Sequence, residues 1–519
     1  MDAKVARAAA QVDFERFRLR RYIDSLPPEE LERRTSPIDL ADLAEVLDGN
    51  TRAVLFEKAG PEGSPLAGNV CASRSRLAIA FDSTPGEVTQ EVRRRLAVRQ
   101  EIVEVPRGQA PVQSVVLEGD SADLTALPVH LQHGLDGAPY ISASIDYTVD
   151  RDRGLTNIGM RRLMLRGRRE TGVDLIAPSD LRAIYESQMK RGERVPVAFV
   201  VGAHPIDCVA ATMRIPMDEL SLLASLRGAP LPVVKCVTND IRVPADAEWV
   251  LEGFFDSKGY VEAEGPYGEF LGYYGVLKKN PVFRLTAITR RKDALFQTAT
   301  IGSRMLGRTD TSQLNALRSE VTLWRALETA VREVKAVYAT PHSGGAFNVR
   351  IAMRQRVPGE ARNAIAAAFG CLVNVKHVFV VDADVDVFSD AQMDWALATR
   401  FQADRDLVVQ SGMRAMPLDP SLGPTRTWCK AGFDLTLPFL PAGQERSIEF
   451  RVPAPPKYEG KRFASLGAAL ADGPKHFQEL MAALGSRASV IVRPPGESAS
   501  GSTRPSCRPT HGARRASRF

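Results

Sequence analysis

The sequence predicts a multidomain α/β (α+β) protein in which a β-barrel, or a strongly curved sheet, lies between an N-terminal and a C-terminal α/β domain. Three observations carry this expectation. The chain has 519 residues, too many for one ordinary core at roughly 150 residues per domain. Short β-branched runs recur between Gly, Pro and Asp turns over residues 119–293, and from 294 onward such runs alternate with helical patterns, as in an α/β layer. Apolar residues at 44% and charged residues at 25% give the balance of a globular chain, so large cores can form.

Taken in order, residues 1–118 read as a small α/β unit, with a helix over 14–25, a strand over 52–57, an apolar stretch over 76–81 and a charged helix over 85–99. Residues 119–293 carry strands at 140–149, 160–165, 195–201, 233–237 and 249–255, with helices inserted at 179–191 and 218–226. Residues 294–452 alternate strands at 334–339, 347–351 and 377–380 with helices at 312–333, 360–369 and 391–400. Residues 453–519 are rich in Pro, Gly, Ser and Arg, with one helix expected at 475–484 and disorder after 494.

A pI of 9.0 raises the question of nucleic acid. The charge is concentrated at one end, however. After Glu497 there are no acids and five arginines (Arg504, Arg508, Arg514, Arg515, Arg518), which account for most of the formal +6. The body is near neutral and lacks the basic face that a phosphate backbone requires. The six cysteines are scattered without a C-x-x-C pair, which reads as a reducing compartment. Met1 is followed by Asp2 and a charged run through Arg21, and no stretch approaches roughly 18 uncharged apolar residues. A cytoplasmic protein with neither a membrane nor a nucleic-acid partner is expected. Walker, dinucleotide-binding, zinc-protease and nucleophile-elbow signatures are all missing.

Three stretches carry candidate chemistry. In Thr156-Asn157-Ile158-Gly159-Met160-Arg161-Arg162, Asn157 offers an amide oxygen, Gly159 lets backbone approach a ligand, and Arg162 is a permanent cation. In Glu262-Ala263-Glu264-Gly265-Pro266-Tyr267-Gly268-Glu269, Gly and Pro set a sharp turn that lets Glu264 and Glu269 converge on one volume. A carboxylate beside Arg162 stays ionised there, while one facing an apolar pocket holds a proton to donate. Asp180 and Glu219 are dispersed. Singly each reads as an acid favoured by a helix N-terminus, and with Asn157 they make an oxygen set suited to Mg2+ or Mn2+. Each stretch also has a plain reading, as a solvated strand edge, a polar turn or a helix start.

In combination these stretches resemble the UbiD-like family of prenylated-FMN-dependent (de)carboxylases, whose hallmark is N-x-x-x-x-R followed about a hundred residues later by E-G-P-[FY]-G-[DE]. Here the first run is Asn157 to Arg162 and the second Glu264 to Glu269. Flanking segments match in unbroken order from about residue 10 to 450, including Leu127-Pro128-Val129-His130, Leu226-Arg227-Gly228, Gly272-Tyr273-Tyr274 and Lys376-His377-Val378. The resemblance implies a flavin-reductase-like split barrel between the α/β domains, and a lyase whose substrate is a small aromatic, heteroaromatic or α,β-unsaturated carboxylic acid. It implies Arg162, Glu264 and Glu269 as the catalytic trio, with Arg162 paired to Glu264 and Glu269 donating the proton. Asn157, Asp180 and Glu219 would hold a divalent ion (Mn2+ or Mg2+), with K+ against backbone oxygens at Ala211 and Thr212. Ile158, Gly159, Met160, Arg161 and Ser179 would line the cofactor, and Lys376 would contact its phosphate. Dependence on a flavin prenyltransferase and a homodimer or homohexamer also follow from the resemblance.

Two positions depart from the family pattern. Asp180 stands where a histidine ligand is common, and the turn ends in Glu269 where many aromatic-acid members carry Asp. The chemistry suits the residues, because losing CO2 from a conjugated acid leaves a carbanion that needs an electron-accepting cofactor, while the protein orients the acid and returns one proton. One of Arg304 and Arg308, just beyond the barrel, is expected to engage a second carboxylate or other anionic group on the substrate. The alternative is a non-catalytic flavin-binding or assembly subunit of the same fold.

Overall fold

The computed structural model describes residues 12–371, 373–440 and 459–485, in two units that divide after Leu437. The second unit contributes a helix pair, Leu466–Ala471 and Phe477–Leu484, over a small cluster of Ala469, Leu480 and Leu484. The helix expected at 475–484 is therefore present from Phe477, while the expected disorder after 494 lies outside the described residues.

In the first unit, the N-terminal layer holds α1 (Leu19–Ser25), β1 (Leu31–Arg34), α2 (Leu43–Leu47), β2 (Ala53–Ala59), β3 (Ser64–Gly68), α3 (Arg74–Ala80) and α4 (Val88–Leu96). The apolar stretch at 76–81 is thus a helix, started by Ser73, whose side chain accepts from the Arg76 N–H. The N-terminal sheet has four strands, the first three in the order β1-β2-β3. Its fourth strand, β18 (Phe296–Gln297), comes from beyond the barrel and pairs parallel with β3.

The central segment holds β4 (Ile102–Glu104), β5 (Val115–Glu118), β6 (Tyr140–Asp150), β7 (Leu155–Leu165), β8 (Glu170–Val173), α5 (Asp180–Lys190), β9 (Val195–Val201), α6 (Pro205–Ala210), α7 (Glu219–Arg227), β10 (Leu231–Lys235), β11 (Arg242–Pro244) and β12 (Trp249–Phe255). The hairpins β13 (Glu262–Glu264), β14 (Tyr267–Gly268), β15 (Tyr274–Gly275) and β16 (Lys278–Asn280) precede β17 (Val282–Arg290). Strands β12-β9-β6-β7-β8-β17 close on themselves through a β12–β17 pairing, giving a six-stranded antiparallel barrel. Period-2 alternation produces it: Val195, Val197 and Phe199 share one core with Phe255 and Phe283, while Ala198 and Val200 face a second core with Ile145 and Tyr147. Rings of Phe199 and Phe283 meet edge-on at 4.9 Å.

The C-terminal layer holds α8 (Asp310–Leu327), β19 (Val334–Ala339), β20 (Asn348–Met353), α9 (Glu360–Gly370), β21 (His377–Asp382), α10 (Asp390–Arg400), α11 (Ala403–Asp406), β22 (Leu407–Arg414) and β23 (Thr427–Leu435). Its sheet order is β19-β20-β21-β23-β22. Val349, Ile351 and Met353 pack under α8 and α9, and Ala352 on the opposite face packs with Met393 and Ala396 of α10. No described helix is long and apolar enough to cross a membrane.

Candidate active site

Strand β7 organises the site. It pairs with β6 along nearly its full length, but with β8 only from Leu163 to Leu165. The edge near its start is free of a strand, and buried N–H groups there need other acceptors. The N-terminus of α7 supplies them: Thr156 N–H donates to Asp218 Oδ2 at 2.9 Å and Ile158 N–H donates to the Glu219 carboxylate. Alternation along the strand puts Asn157, Gly159 and Arg161 on one face and Ile158, Met160 and Arg162 on the other.

On the Arg162 face the two distant motifs meet. Arg162 Nε lies 3.1 Å from Glu264 Oε1, and Nη2 lies 3.2 Å from Glu269 Oε1 and 3.0 Å from Asp174 Oδ2. The guanidinium also sits 4.5 Å above the Tyr267 ring. Lys278 Nζ closes the cluster at 2.8 Å from Asp174, because the β13–β16 hairpin sets Lys278 opposite Glu264. Sequence reasoning missed Asp174 and Lys278; neither lies in a motif, and their signal is a pairing across strands that only the fold creates.

The turn that brings the acids together is tightly built. Gly265 has φ +100°, a conformation side-chain-bearing residues avoid, and a Cβ on Gly137 would sit 2.2 Å from the Gly265 carbonyl. Gly137 N–H donates to Pro266 O at 2.8 Å, Gly268 N–H to Asp136 Oδ1 at 2.9 Å, and Glu269 N–H to Tyr273 O at 2.9 Å.

The three acids differ in support. Asp174 receives Arg162, Lys278 and the Ile176 N–H, and although burial acts to raise it, these groups hold it below the usual carboxylate range. Glu264 receives Arg162 and the Asn280 amide. Glu269 has Arg162 alone as a side-chain hydrogen-bond partner among the described residues, and is 5% exposed. Burial raises its pKa, with Arg162 and Lys278 only partly offsetting this.

The other sequence candidates occupy a second cluster along the same strand. The Asn157 amide donates to Asp146 Oδ2 at 3.1 Å, and Arg161 lies 3.2 Å from Asp146 Oδ1. Glu219 is pushed up to about 8 by burial, assisted by Asp146, Asp180 and Asp218. Oxygen donors crowded in this way suit a hard cation, which would relieve their repulsion, although among the described residues no group of three or more His, Cys, Asp or Glu stands ready to hold a metal. Ser179 caps α5 by accepting from the Arg182 N–H at 3.2 Å, with Asp180 in the first turn. Ala211 and Thr212 follow α6, where Thr212 Oγ1 donates to Val209 O at 2.7 Å. Ile158 is buried and Met160 half-buried.

Three candidates lie apart from these clusters in their contacts. Lys376 Nζ is already bound by Asp419 Oδ2 and Ser421 Oγ, each at 2.7 Å. The Arg304 side chain is 94% exposed, with Asp48 at 3.7 Å, and Arg308 donates to Gly49 O at 2.9 Å. None of the three bonds to the Arg162 acids.

A closed antiparallel barrel between two α/β layers, with one arginine gripping acids from a distant turn, defines a class that comparison with known proteins identifies. Models of 3-octaprenyl-4-hydroxybenzoate carboxy-lyase match its N-terminal domain at 29–96, its Rift-related domain at 103–304 and its C-terminal domain at 312–435. Anhydromevalonate phosphate decarboxylase of Methanosarcina mazei is 32% identical over 409 residues, 78% of this chain and 92% of the relative. The UbiD-class enzyme HmfF of Pelotomaculum thermopropionicum, solved with FMN, is 31% identical with a TM-score of 0.77, covering 84% of this chain and 97% of that one. Its evolved dimeric form, solved with prFMN, is 28% identical with a TM-score of 0.75 over the same shares. The chain belongs to the UbiD family and is a carboxy-lyase.

Proposed function

We propose that this carboxy-lyase catalyses the reversible, non-oxidative decarboxylation of an aromatic, heteroaromatic or α,β-unsaturated carboxylic acid with prenylated FMN. The observation that supports this most is the asymmetry of the acids around Arg162: Glu269, the least partnered, is the one whose pKa burial raises. When bound, the cofactor supplies the electron sink for the carbanion left by CO2. Arg162 orients the substrate carboxylate, and its pairing with Glu264 and Asp174 fixes the guanidinium plane. Glu269 Oε returns the proton to the carbon that carried the carboxylate.

In this reading Ile158, Gly159, Met160, Arg161 and Ser179 line the flavin. Asn157, Asp180 and Glu219 supply oxygens for Mn2+ or Mg2+, the carbonyls of Ala211 and Thr212 serve K+, and Lys376 contacts the phosphate after exchanging its partner Asp419. One of Arg304 and Arg308 serves a second anionic group of the substrate, after leaving its contact in the 48–49 loop. The M. mazei relative, named for a phosphorylated acid, keeps the non-aromatic branch within the substrate class. A cytoplasmic homodimer or homohexamer supplied by a flavin prenyltransferase completes the proposal. The test is Glu269→Gln in protein co-expressed with such a prenyltransferase: flavin absorbance is retained, while CO2 release and exchange of deuterium into the product carbon are lost. Normal exchange in the variant would remove Glu269 from its role.

A further inference from the structure

His133 stands behind the acid-bearing turn, on the segment between β5 and β6. Its two ring nitrogens each meet an acceptor: Nδ1 lies 3.2 Å from Asp136 Oδ2, and Nε2 lies 3.0 Å from the Gly302 carbonyl oxygen. A neutral imidazole carries one N–H, so either tautomer sets a lone pair against an acceptor, whereas the imidazolium donates to both. The ring is edge-on to Tyr267 of β14 at 6.0 Å and to Tyr274 of β15 at 6.4 Å, with the Arg162 guanidinium beyond the Tyr267 ring. Asp136 is fully buried beside it. Asp48, at the end of α2, adds a second negative charge; it is held by Ser303 Oγ and faces Arg304 at 3.7 Å. Although burial acts to lower the His133 pKa, Asp136, the Gly302 carbonyl and Asp48 raise it. His130, three residues earlier, is the contrast: its Nε2 has the Thr298 hydroxyl at 3.2 Å, and burial lowers its pKa to about 4.

The two groups that His133 joins both bear on Glu269. Asp136 Oδ1 accepts the Gly268 N–H at 2.9 Å, one residue before Glu269, while Oδ2 accepts the His133 N–H at 3.0 Å. The ring is pressed against the turn, because a Cβ on Gly268 would sit 2.4 Å from Nδ1, so this position of the motif has no room for a side chain. Gly302 abuts the same backbone: a Cβ there would lie 2.9 Å from the Glu269 carbonyl oxygen and 3.0 Å from that of Gly268. The backbone at 268–269 is thus in contact with both Asp136 and the Gly302 loop, and His133 ties the one to the other. Since the Glu269 side chain has only Arg162 as a hydrogen-bond partner among the described residues, its place depends on how firmly that backbone is held.

We propose that His133 is a positioning residue which, as an imidazolium, clasps Asp136 to the Gly302 loop and so fixes the backbone that carries Glu269. The proposal rests on the reading of Glu269 as the proton donor. His133 reaches the reaction through the turn alone, so its effect falls on kcat and not on KM. As pH rises and the ring loses a proton, one of its two bonds becomes a lone pair facing an acceptor, the turn loosens, and kcat falls. That fall adds to the one caused by Glu269 giving up its own proton.

The test uses full-length protein co-expressed with a flavin prenyltransferase and labelled with isotopic histidine, the His133 NMR signals being assigned by their loss in His133→Gln. They report a doubly protonated ring that titrates at higher pH than free histidine, and Asp136→Asn moves that titration to lower pH. Turnover is followed as CO2 release from cinnamic, 2-furoic and 4-hydroxybenzoic acids. His133→Phe, which keeps a ring and loses both donors, lowers kcat about 10- to 100-fold with KM within about twofold of wild type. His133→Gln, whose amide donates from the place of Nε2 and carries no charge, recovers part of kcat, and its alkaline limb shows one ionisation where wild type shows two. Folding is read separately, as a cooperative melting transition in each variant; if His133→Phe does not fold, the pH profile of His133→Gln decides. A His133 ring that titrates below free histidine, or a His133→Gln profile that keeps both ionisations, overturns the clasp. If His133→Phe retains wild-type kcat while Glu269→Gln has none, the proton-donor reading stands and the positioning role falls. If Glu269→Gln exchanges protons normally, both fall.

Discussion

Arg227 and Arg162 are each held by more than one acid, and they illustrate opposite uses of the same chemistry. Arg227, at the end of α7, is bound by Asp207 at 2.6 Å and Asp246 at 2.7 Å, with side chains no more than 5% exposed, and three of its four hydrogen bonds to these acids are 2.6–2.8 Å. Its acids have no slack. Arg162 reaches three acids at 3.0 to 3.2 Å with a side chain 16% exposed, and the acids are unequally supported. The first arrangement locks α7 to the chain around it. The second leaves Glu269 with one long bond, a carboxyl whose protonation can change without dismantling the site. What separates a structural ion pair from a reactive one here is the geometry of the contact: Asp207 takes hydrogen bonds of 2.6 and 2.8 Å from Arg227, whereas Glu269 takes one of 3.3 Å from Arg162.

The largest expected effect lies on the reactive side. Glu269→Gln lowers turnover by about 10²- to 10⁴-fold, the range for losing a general acid, with the melting temperature little changed. Equal loss of stability and turnover would collapse the contrast. On the structural side, Arg227→Leu leaves two buried carboxylates uncompensated and costs about 3–5 kcal/mol in denaturant unfolding. An unfolding midpoint unchanged from wild type would show that Arg227 does not lock the fold. Asp174→Asn tests the balance within the active cluster. Because Asp174 helps to raise the Glu269 pKa, its loss moves the alkaline limb of the pH–rate profile to lower pH, with a fall in turnover along that limb. A shift to higher pH would contradict the assignment.

The smallest effect is in stability against pH. Glu269 binds its proton more tightly folded than unfolded. Its contribution is therefore full below the unfolded value and is lost as pH rises through the folded one. Melting temperatures of wild type and Glu269→Gln should converge at low pH and separate as pH rises, with wild type falling relative to the variant.

Much of the fold was legible in sequence where burial imposes a period. The strand at 195–201 and the strand at 334–339 coincide with the observed β9 and β19, since alternate residues must enter a core. Strand β22 was not read because it is an edge strand whose side chains are almost all exposed, and exposure removes the alternation. In β23, Lys430 is buried against the Phe369 carbonyl at 2.8 Å, which breaks the apolar pattern a reader looks for. The β7 strand begins at Leu155, before the run at 160–165, and its first residues include Asn157, whose amide is polar for the sake of its contact with Asp146. At the site, the Arg162 trio was legible through motifs. Asp174 and Lys278 were not, since their meeting depends on hairpin register.

The placement of β18 has a consequence for how the protein is made. Residues 296 and 297 supply the fourth strand of a sheet whose other three strands end by Gly68. A ribosome must therefore translate the entire barrel before the first sheet can be finished, and until then β3 presents an open border to whatever it meets. Emergence from the exit tunnel and completion of architecture run in different orders, so a fragment that stops at the barrel inherits an unclosed first layer.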